Sequence, residues 1–209
     1  MSKKISDSTI KRLTLYYYFL TTKKDNTDIV ISSQELAQSI GVTDAQVRKD
    51  LKYFGSFGKR GTGYNIKHLC EKLSNILGVK KVIEVALVGV GNLGKALMSY
   101  RGFEEYGYKI KYIFDSDHQK IGKKIMGYTC FNTFAIPEVV KKNKINMAIM
   151  SVPKDSAQNV AEKLINSGVR AILNFAPCKI IHDSSKVKVI NVDVASELKA
   201  LSYYLLSNK

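Results

Sequence analysis

Apolar positions along the chain follow two regimes. In the N-terminal third they recur at helical spacing, and from Val82 onward they form short runs separated by helical stretches. In Thr9 to Leu20 (TIKRLTLYYYFL), Ile10, Leu13, Tyr17 and Leu20 share one face, which predicts a helix. Two boxes of the form Ser/Thr-x-x-Glu/Gln follow, Ser32-Ser33-Gln34-Glu35 and Thr43-Asp44-Ala45-Gln46. In each, the hydroxyl can accept from an orphan backbone N–H while the Glu or Gln side chain reaches back, so each predicts a helix start. Gly41 between them suits a turn. The short helix 33 to 40 turns Leu36, Ala37 and Ile40 inward, and the next carries Val47, Leu51 and Phe54 as one apolar stripe. This is a helix-turn-helix pattern.

With that stripe assigned to the core, Arg48, Lys49 and Lys52 fall on the outer face of the second helix, with Gln46 and Tyr53 nearby. Such a helix can enter a major groove, where Arg and Lys read guanine edges and Gln reads adenine; a solvated basic face is the plainer alternative. The next segment, Gly55 to Ile66 (GSFGKRGTGYNI), is a glycine-punctuated ribbon with Lys59 and Arg60 at its tip, and it predicts a tight hairpin. Together these elements read as a winged helix. The candidate DNA contacts are Ser32, Ser33, Gln46, Arg48, Lys49, Lys52, Lys59, Arg60 and Gly61.

The second regime opens with an apolar strand in residues 82 to 95 (VIEVALVGVGNLGK) that runs into Gly89-x-Gly91-x-x-Gly94. In a dinucleotide fold the first glycine makes the turn, the second admits the pyrophosphate, and the third lets the helix pack on its strand. Ala96 to Tyr100 continues as that helix, whose N-terminus can bind phosphate. A second strand, Ile110 to Phe114, ends in Asp115, which lies 21 residues beyond Gly94. An acid there accepts from the adenosine ribose and disfavours a 2′-phosphate, so the expected ligand is NAD(H). The alternation goes on with helix 137–142, strand 145–152, helix 156–167 and strand 169–175. Ser151-Val152-Pro153 and Asn174-Phe175-Ala176-Pro177 stand at strand ends, where ligands of open parallel sheets bind. A last strand, Lys188 to Val192, leads through Asp193 into a helix with Val194, Leu198, Leu201 and Leu205 on one side. That helix is too apolar to stand alone, and it suits a dimer contact.

Charge adds to this picture. The 209 residues hold 33 Lys and Arg against 18 Asp and Glu, a net of +15, split as 15 bases against 7 acids up to residue 82 and 18 against 11 beyond it. Total charge alone permits nucleic acid, anionic lipid or an acidic metabolite as partner. The N-terminus lacks a stretch apolar enough for a signal peptide and no window reaches a membrane span, so a cytoplasmic protein with no membrane partner is expected. Cys70, Cys130 and Cys178 are far apart and odd in number, which argues against a disulfide framework or a zinc site; no metal is expected. Catalytic groups are thin. His68, His118 and His182 occupy no obvious acid–base position, no Tyr-x-x-x-Lys pair occurs, and about 127 residues leave no room for a separate substrate domain. The chain therefore reads as no enzyme, with an NAD-dependent oxidoreductase carrying a basic N-terminal extension as the alternative.

The sequence resembles the Rex family of bacterial redox-sensing transcriptional repressors over nearly its whole length. The resemblance is carried by Thr9-Ile10-Lys11-Arg12-Leu13 with Leu15-Tyr16-Tyr17, by Val47-Arg48-Lys49-Asp50-Leu51 with Tyr53-Phe54-Gly55, and by Phe57-Gly58-Lys59-Arg60-Gly61 with Gly63-Tyr64. Gly89-Val90-Gly91-Asn92-Leu93-Gly94, Phe114-Asp115, Asn174-Phe175-Ala176-Pro177 and Glu197-Leu198 complete it. The resemblance implies an α/β chain with a winged helix-turn-helix domain (residues 1–80), then a Rossmann-like parallel-sheet dinucleotide-binding domain (81–209) whose C-terminal dimerisation helix, about 194–207, is swapped between subunits. It implies a homodimer on a palindromic, inverted-repeat operator in double-stranded DNA, contacted by Arg48, Lys49, Lys59 and Arg60. NADH and NAD⁺ are implied as regulatory ligands, NADH releasing the DNA. Tyr100 and Asp193 match positions near the nicotinamide. The chain departs from many relatives at Tyr18, where they carry arginine, and at Val194, where some carry phenylalanine.

Overall fold

The computed structural model describes residues 5–23, 29–55, 57, 62–79 and 81–207. The chain forms two compact units, Met1–Lys81 and Val82–Lys209.

In the first unit, helix α1 (Asp7–Thr21) starts where the Ser6 hydroxyl accepts from the Thr9 N–H. Leu13, Tyr16 and Leu20 form its fully buried stripe. The sequence placed Ile10 and Tyr17 on that face; Ile10 is exposed and Tyr17 only half-buried. Tyr16 takes the central place because its hydroxyl can be satisfied inside, donating to Asp50 Oδ2 at 3.0 Å. Strand β1 (Val30–Ile31) precedes helix α2 (Ser33–Ile40), whose capping box is complete: Glu35 N–H donates to Ser32 Oγ and Ser32 N–H to Glu35 Oε2. Gly41 ends α2 in the left-handed region at φ 71°. Helix α3 (Asp44–Lys52) is capped by Thr43, but only half of the expected box forms. Gln46 turns instead to the stronger, charged acceptor Asp50, at 2.8 Å.

Strand β2 (Tyr64–Asn65) pairs antiparallel with β1, Ile31 opposite Tyr64. Gly63, at φ 86°, is required there because a Cβ would lie 2.6 Å from the Ile31 carbonyl oxygen. The sequence reading ran the ribbon to Ile66, whereas Ile66 opens helix α4 (Ile66–Leu77), capped by Asn65 and ended by Gly78 at φ 72°. Ile66, Leu69, Cys70 and Leu73 of α4 join α1, α2 and α3 in one core. Of the ribbon, Ser56 and Gly58-Lys59-Arg60-Gly61 lie outside the described residues.

The second unit holds strands β3 (Ile83–Val88), β4 (Tyr108–Asp115), β5 (Lys124–Ile125), β6 (Tyr128–Asn132), β7 (Met147–Met150), β8 (Ala171–Asn174) and β9 (Lys188–Asn191). Helices α5 (Asn92–Ser99), α6 (Gly102–Glu105), α7 (Ile136–Asn143) and α8 (Lys154–Ser167) connect them, and α9 (Val194–Ser207) ends the chain. The sheet order is β5-β6-β4-β3-β7-β8-β9, all parallel except the β5–β6 hairpin. Without β5 this is the order 3-2-1-4-5-6 of dinucleotide-binding folds, and the order reverses at β3. Alternate residues of β3 feed separate cores. Ala86 and Val88 pack with α7 and α8, while Val85 and Leu87 pack with Leu97, Met98 and Phe103 of α5 and α6. The hairpin β5–β6 escaped the sequence reading, since its turn uses Met126 (φ 49°) and Gly127 (φ 87°) rather than an Asn-Gly or Asp-Gly pair. Helix α9 packs into none of these cores, and Leu198, Leu201 and Leu205 are 62%, 58% and 76% exposed.

Candidate functional site

The three glycines of the loop do different work. Gly89 sits at φ 94°, and a Cβ there would lie 2.5 Å from the Ser151 carbonyl oxygen. Gly94 has an ordinary helical backbone, but its Cβ would strike the Gly89 carbonyl oxygen at 2.1 Å, so it is the point where α5 presses on the loop. Gly91 needs neither conformation nor packing room: its φ is −80° and a Cβ would meet no protein atom within 4 Å. A glycine there leaves space and bare backbone facing a cleft, at the N-terminus of α5, which no side chain caps.

That cleft, of about 700 Å³, lies beyond the carboxyl ends of β3, β4 and β7 and is lined by Gly89, Gly91, Leu93, Asp115, Ser151, Val152, Pro153 and Phe175 among the residues singled out from sequence. Its size falls in the range of small-molecule sites, roughly 300–1,000 Å³. Asp115 is 8% exposed. Its Oδ2 accepts from the Val90 N–H at 2.8 Å and from Lys120 Nζ at 3.0 Å, and its Oδ1 from the Asp117 N–H at 2.9 Å. Burial pushes this carboxyl toward its neutral form, yet the two N–H groups and the Lys120 ammonium outweigh it and hold its pKa below the ordinary value. A carboxylate has about four lone-pair sites, so one on Oδ1 stays open to a ribose hydroxyl.

Other residues of the expected set stand apart from the cleft lining. Val90, Gly94, Asn174 and Ala176 are buried, while Asn92 and Pro177 are exposed. Asn174 acts on the loop that follows it: its amide donates to the Cys178 carbonyl and Asn191 Oδ1, and its Oδ1 accepts from the Ala176 N–H, which sets the bend carrying Phe175. Tyr100 caps the end of α5, 58% exposed, with its ring edge-on to Phe103. Asp193 is exposed and accepts from the Ser196 N–H and hydroxyl at the start of α9, contacts that lower its pKa. Lys120, Thr133, Asn159 and Lys163 also line the cleft, and the sequence reading did not single them out. Lys120 was findable, since it follows Asp115 by little more than one turn of chain.

In the first unit Arg48, Lys49, Lys52 and Tyr53 are all exposed on α3 and after it. Arg48 pairs with Asp44 one turn back and donates to the Ser33 hydroxyl at 3.1 Å, linking the starts of α2 and α3. Ser32 is engaged with Glu35. Lys59, Arg60 and Gly61 lie outside the described residues.

Two family models match the chain: a putative DNA-binding protein N-terminus over residues 4–52 and a CoA binding domain over residues 80–178. Among curated proteins, the redox-sensing transcriptional repressor Rex of Pelotomaculum thermopropionicum is 42% identical over 206 residues, covering 99% of this chain and 96% of its own. Rex of Desulfitobacterium hafniense is 46% identical over 200 residues, covering 96% and 95%. The chain belongs to the Rex family. Solved Rex-family structures agree along its length. The repressor RSP in complex with β-NAD⁺ and operator DNA superposes with a TM-score of 0.91 at 36% identity, covering 99% of this chain and 94% of RSP. RSP with β-NADH gives 0.85 at 35% identity, covering 98% and 95%. Among the described residues of this Rex chain no helix is long and apolar enough to cross a membrane, and no group of three or more His, Cys, Asp or Glu side chains converges as a metal site would.

Proposed function

We propose that this chain is a cytoplasmic transcriptional repressor that works as a homodimer and leaves a palindromic operator when it binds NADH. It is a regulator and not an enzyme. One observation carries the reading: a single chain joins a helix-turn-helix with exposed Arg48, Lys49 and Lys52 to a cleft built on Gly89-x-Gly91-x-x-Gly94 and Asp115. Its relatives bear the name of redox-sensing repressors, and RSP has been captured with operator DNA and with both cofactor states.

The cleft fits a dinucleotide on its own chemistry. Gly91 leaves the volume of a side chain to the ligand, the first N–H groups of α5 suit a pyrophosphate, and the open position on Asp115 suits the adenosine ribose. The nicotinamide supplies the signal when bound, since its ring is cationic when oxidised and neutral when reduced. Phe175 and Val152 offer the apolar wall that prefers the neutral ring. Tyr100 and Asp193 are the proposed readers of that difference, and α9 is the proposed exchanged dimer element, its exposed leucines covered by the second subunit. On DNA, two recognition helices have to stand about 34–36 Å apart to reach both half-sites, and a dimer that NADH closes loses that spacing. The ligand shifts the balance only by its differential affinity for the two states.

The match of residues 80–178 to a CoA binding domain makes a CoA thioester the reading to exclude. Calorimetry with NADH, NAD⁺, NADPH and acetyl-CoA separates them. Tightest binding of NADH is the expected result; tight acetyl-CoA with weak NADH overturns the proposal.

A further inference from the structure

Asp50 lies within the most cationic stretch of α3, Arg48-Lys49-Asp50-Leu51-Lys52, yet it is 3% exposed. Its carboxylate takes four hydrogen bonds from side chains. Arg12 of α1 grips it as a fork, Nε to Oδ2 at 2.6 Å and Nη2 to Oδ1 at 2.8 Å. Tyr16 donates to Oδ2 at 3.0 Å, and Gln46 Nε2 to Oδ1 at 2.8 Å. The last contact has a consequence for DNA. An ionised carboxylate can only accept, so the Gln46 amide must present its nitrogen to Asp50; the flipped amide would set oxygen against oxygen. The amide oxygen, on the other branch, accepts no hydrogen bond among the described residues. Gln46 is the third residue of α3, in the N-terminal turn from which a recognition helix reaches base edges.

We propose that Asp50 is a positioning residue that holds Gln46 so that its Oε1 reads an exocyclic amino group in the major groove, adenine N6 or cytosine N4. Guanine and thymine present acceptors at the same edge, O6 with N7 and O4, which repel that oxygen. The Arg12 fork anchors the arrangement to α1, so the side chain is ordered before DNA arrives and gives up little rotamer freedom on binding. A glutamine free in solution would read both ways by rotating its amide; the tether removes that choice. The inference rests on the DNA-binding reading above.

The test is selection from a randomised duplex library by the full-length wild-type protein, by Gln46→Met and by Asp50→Asn. The wild type is expected to favour adenine or cytosine over guanine and thymine at one position per half-site by about fivefold, the worth of a single hydrogen bond. The selected sequences say which of the two bases it is. Both variants are expected to flatten that position alone and to keep the preferences elsewhere in the half-site. Sequence selection by the wild type with both variants unchanged overturns this inference only. A wild type that selects no sequence overturns the DNA-binding reading with it. If Asp50→Asn does not fold, glutamine-selective ¹⁵N labelling of the wild type reads the same contact. The Gln46 side-chain amide is expected to stay protected from exchange when the selected duplex is added, and loss of that protection contradicts the proposal.

Discussion

Among the described residues each unit of the molecule buries one carboxylate, and the two are satisfied in different ways. Asp50 and Asp115 are 3% and 8% exposed, and in both the surrounding donors outweigh burial and keep the acid ionised. Asp50 has its four acceptor positions filled by side chains from α1 and α3, so it ties two helices and has nothing left for a ligand. Asp115 draws two of its three donors from the backbone, and the third, Lys120, stands in the cleft beside it. A position on it stays open. Counting acceptor sites separates a saturated carboxylate from one with room for a further donor, where burial alone would rank them alike.

The largest expected effect breaks the structural member. Asp50→Ala leaves the Arg12 guanidinium and the buried Tyr16 hydroxyl without their partner, and loss of one half of such a pair costs about 3–5 kcal/mol. In urea denaturation the unit Met1–Lys81 should unfold far earlier, while NADH binding by Val82–Lys209 persists. Loss of both together would mean that Asp50 supports more than its own unit.

A smaller effect sharpens the binding side. Gly94→Ala puts a methyl group 2.1 Å from the Gly89 carbonyl oxygen, and such overpacking costs roughly 1–3 kcal/mol of stability. Gly91→Ala meets open space, so its melting temperature should stay at the wild-type value while NADH affinity falls. Thermal melts with and without NADH distinguish the two. A stable Gly94→Ala or an NADH-indifferent Gly91→Ala would contradict the division of labour in the loop.

The smallest effect is the pH dependence. Because the folded pKa values of Asp50 and Asp115 are lowered, their stabilisation is fully present above the unfolded value of about 3.9 and is lost as pH falls through the folded values. Denaturation midpoints should therefore change little from these groups between pH 7 and 5 and drop below about pH 4. Asp115→Asn should lessen the drop in the second unit only.

The sequence made some of this plain and hid the rest for physical reasons. Helix starts were readable where a cap is local: Ser32 and Thr43 each act three residues away. The glycine loop and Asp115 were readable because spacing alone places them at strand ends. Helix α4 carried its own signals, Asn65 at the start and Gly78 at the end, but the glycine-rich ribbon before it drew the reading past Asn65. The Asp50 network was not readable, since Arg12 lies 38 residues from Asp50 and an acid amid lysines looks solvated. Gln46 lies only four residues from Asp50, but its spacing from Thr43 also fits a capping box, and only the burial of Asp50 decides between the two partners. Lys163 reaches the cleft from α8, an element that only the sheet brings beside Asp115.

The most direct test of the whole account is an operator titration followed by fluorescence anisotropy, run with the cofactor-free protein, with NAD⁺ and with NADH at fixed salt. NADH is expected to weaken operator binding and NAD⁺ to leave the complex intact. NADH that binds tightly to the protein yet leaves operator affinity unchanged would contradict it.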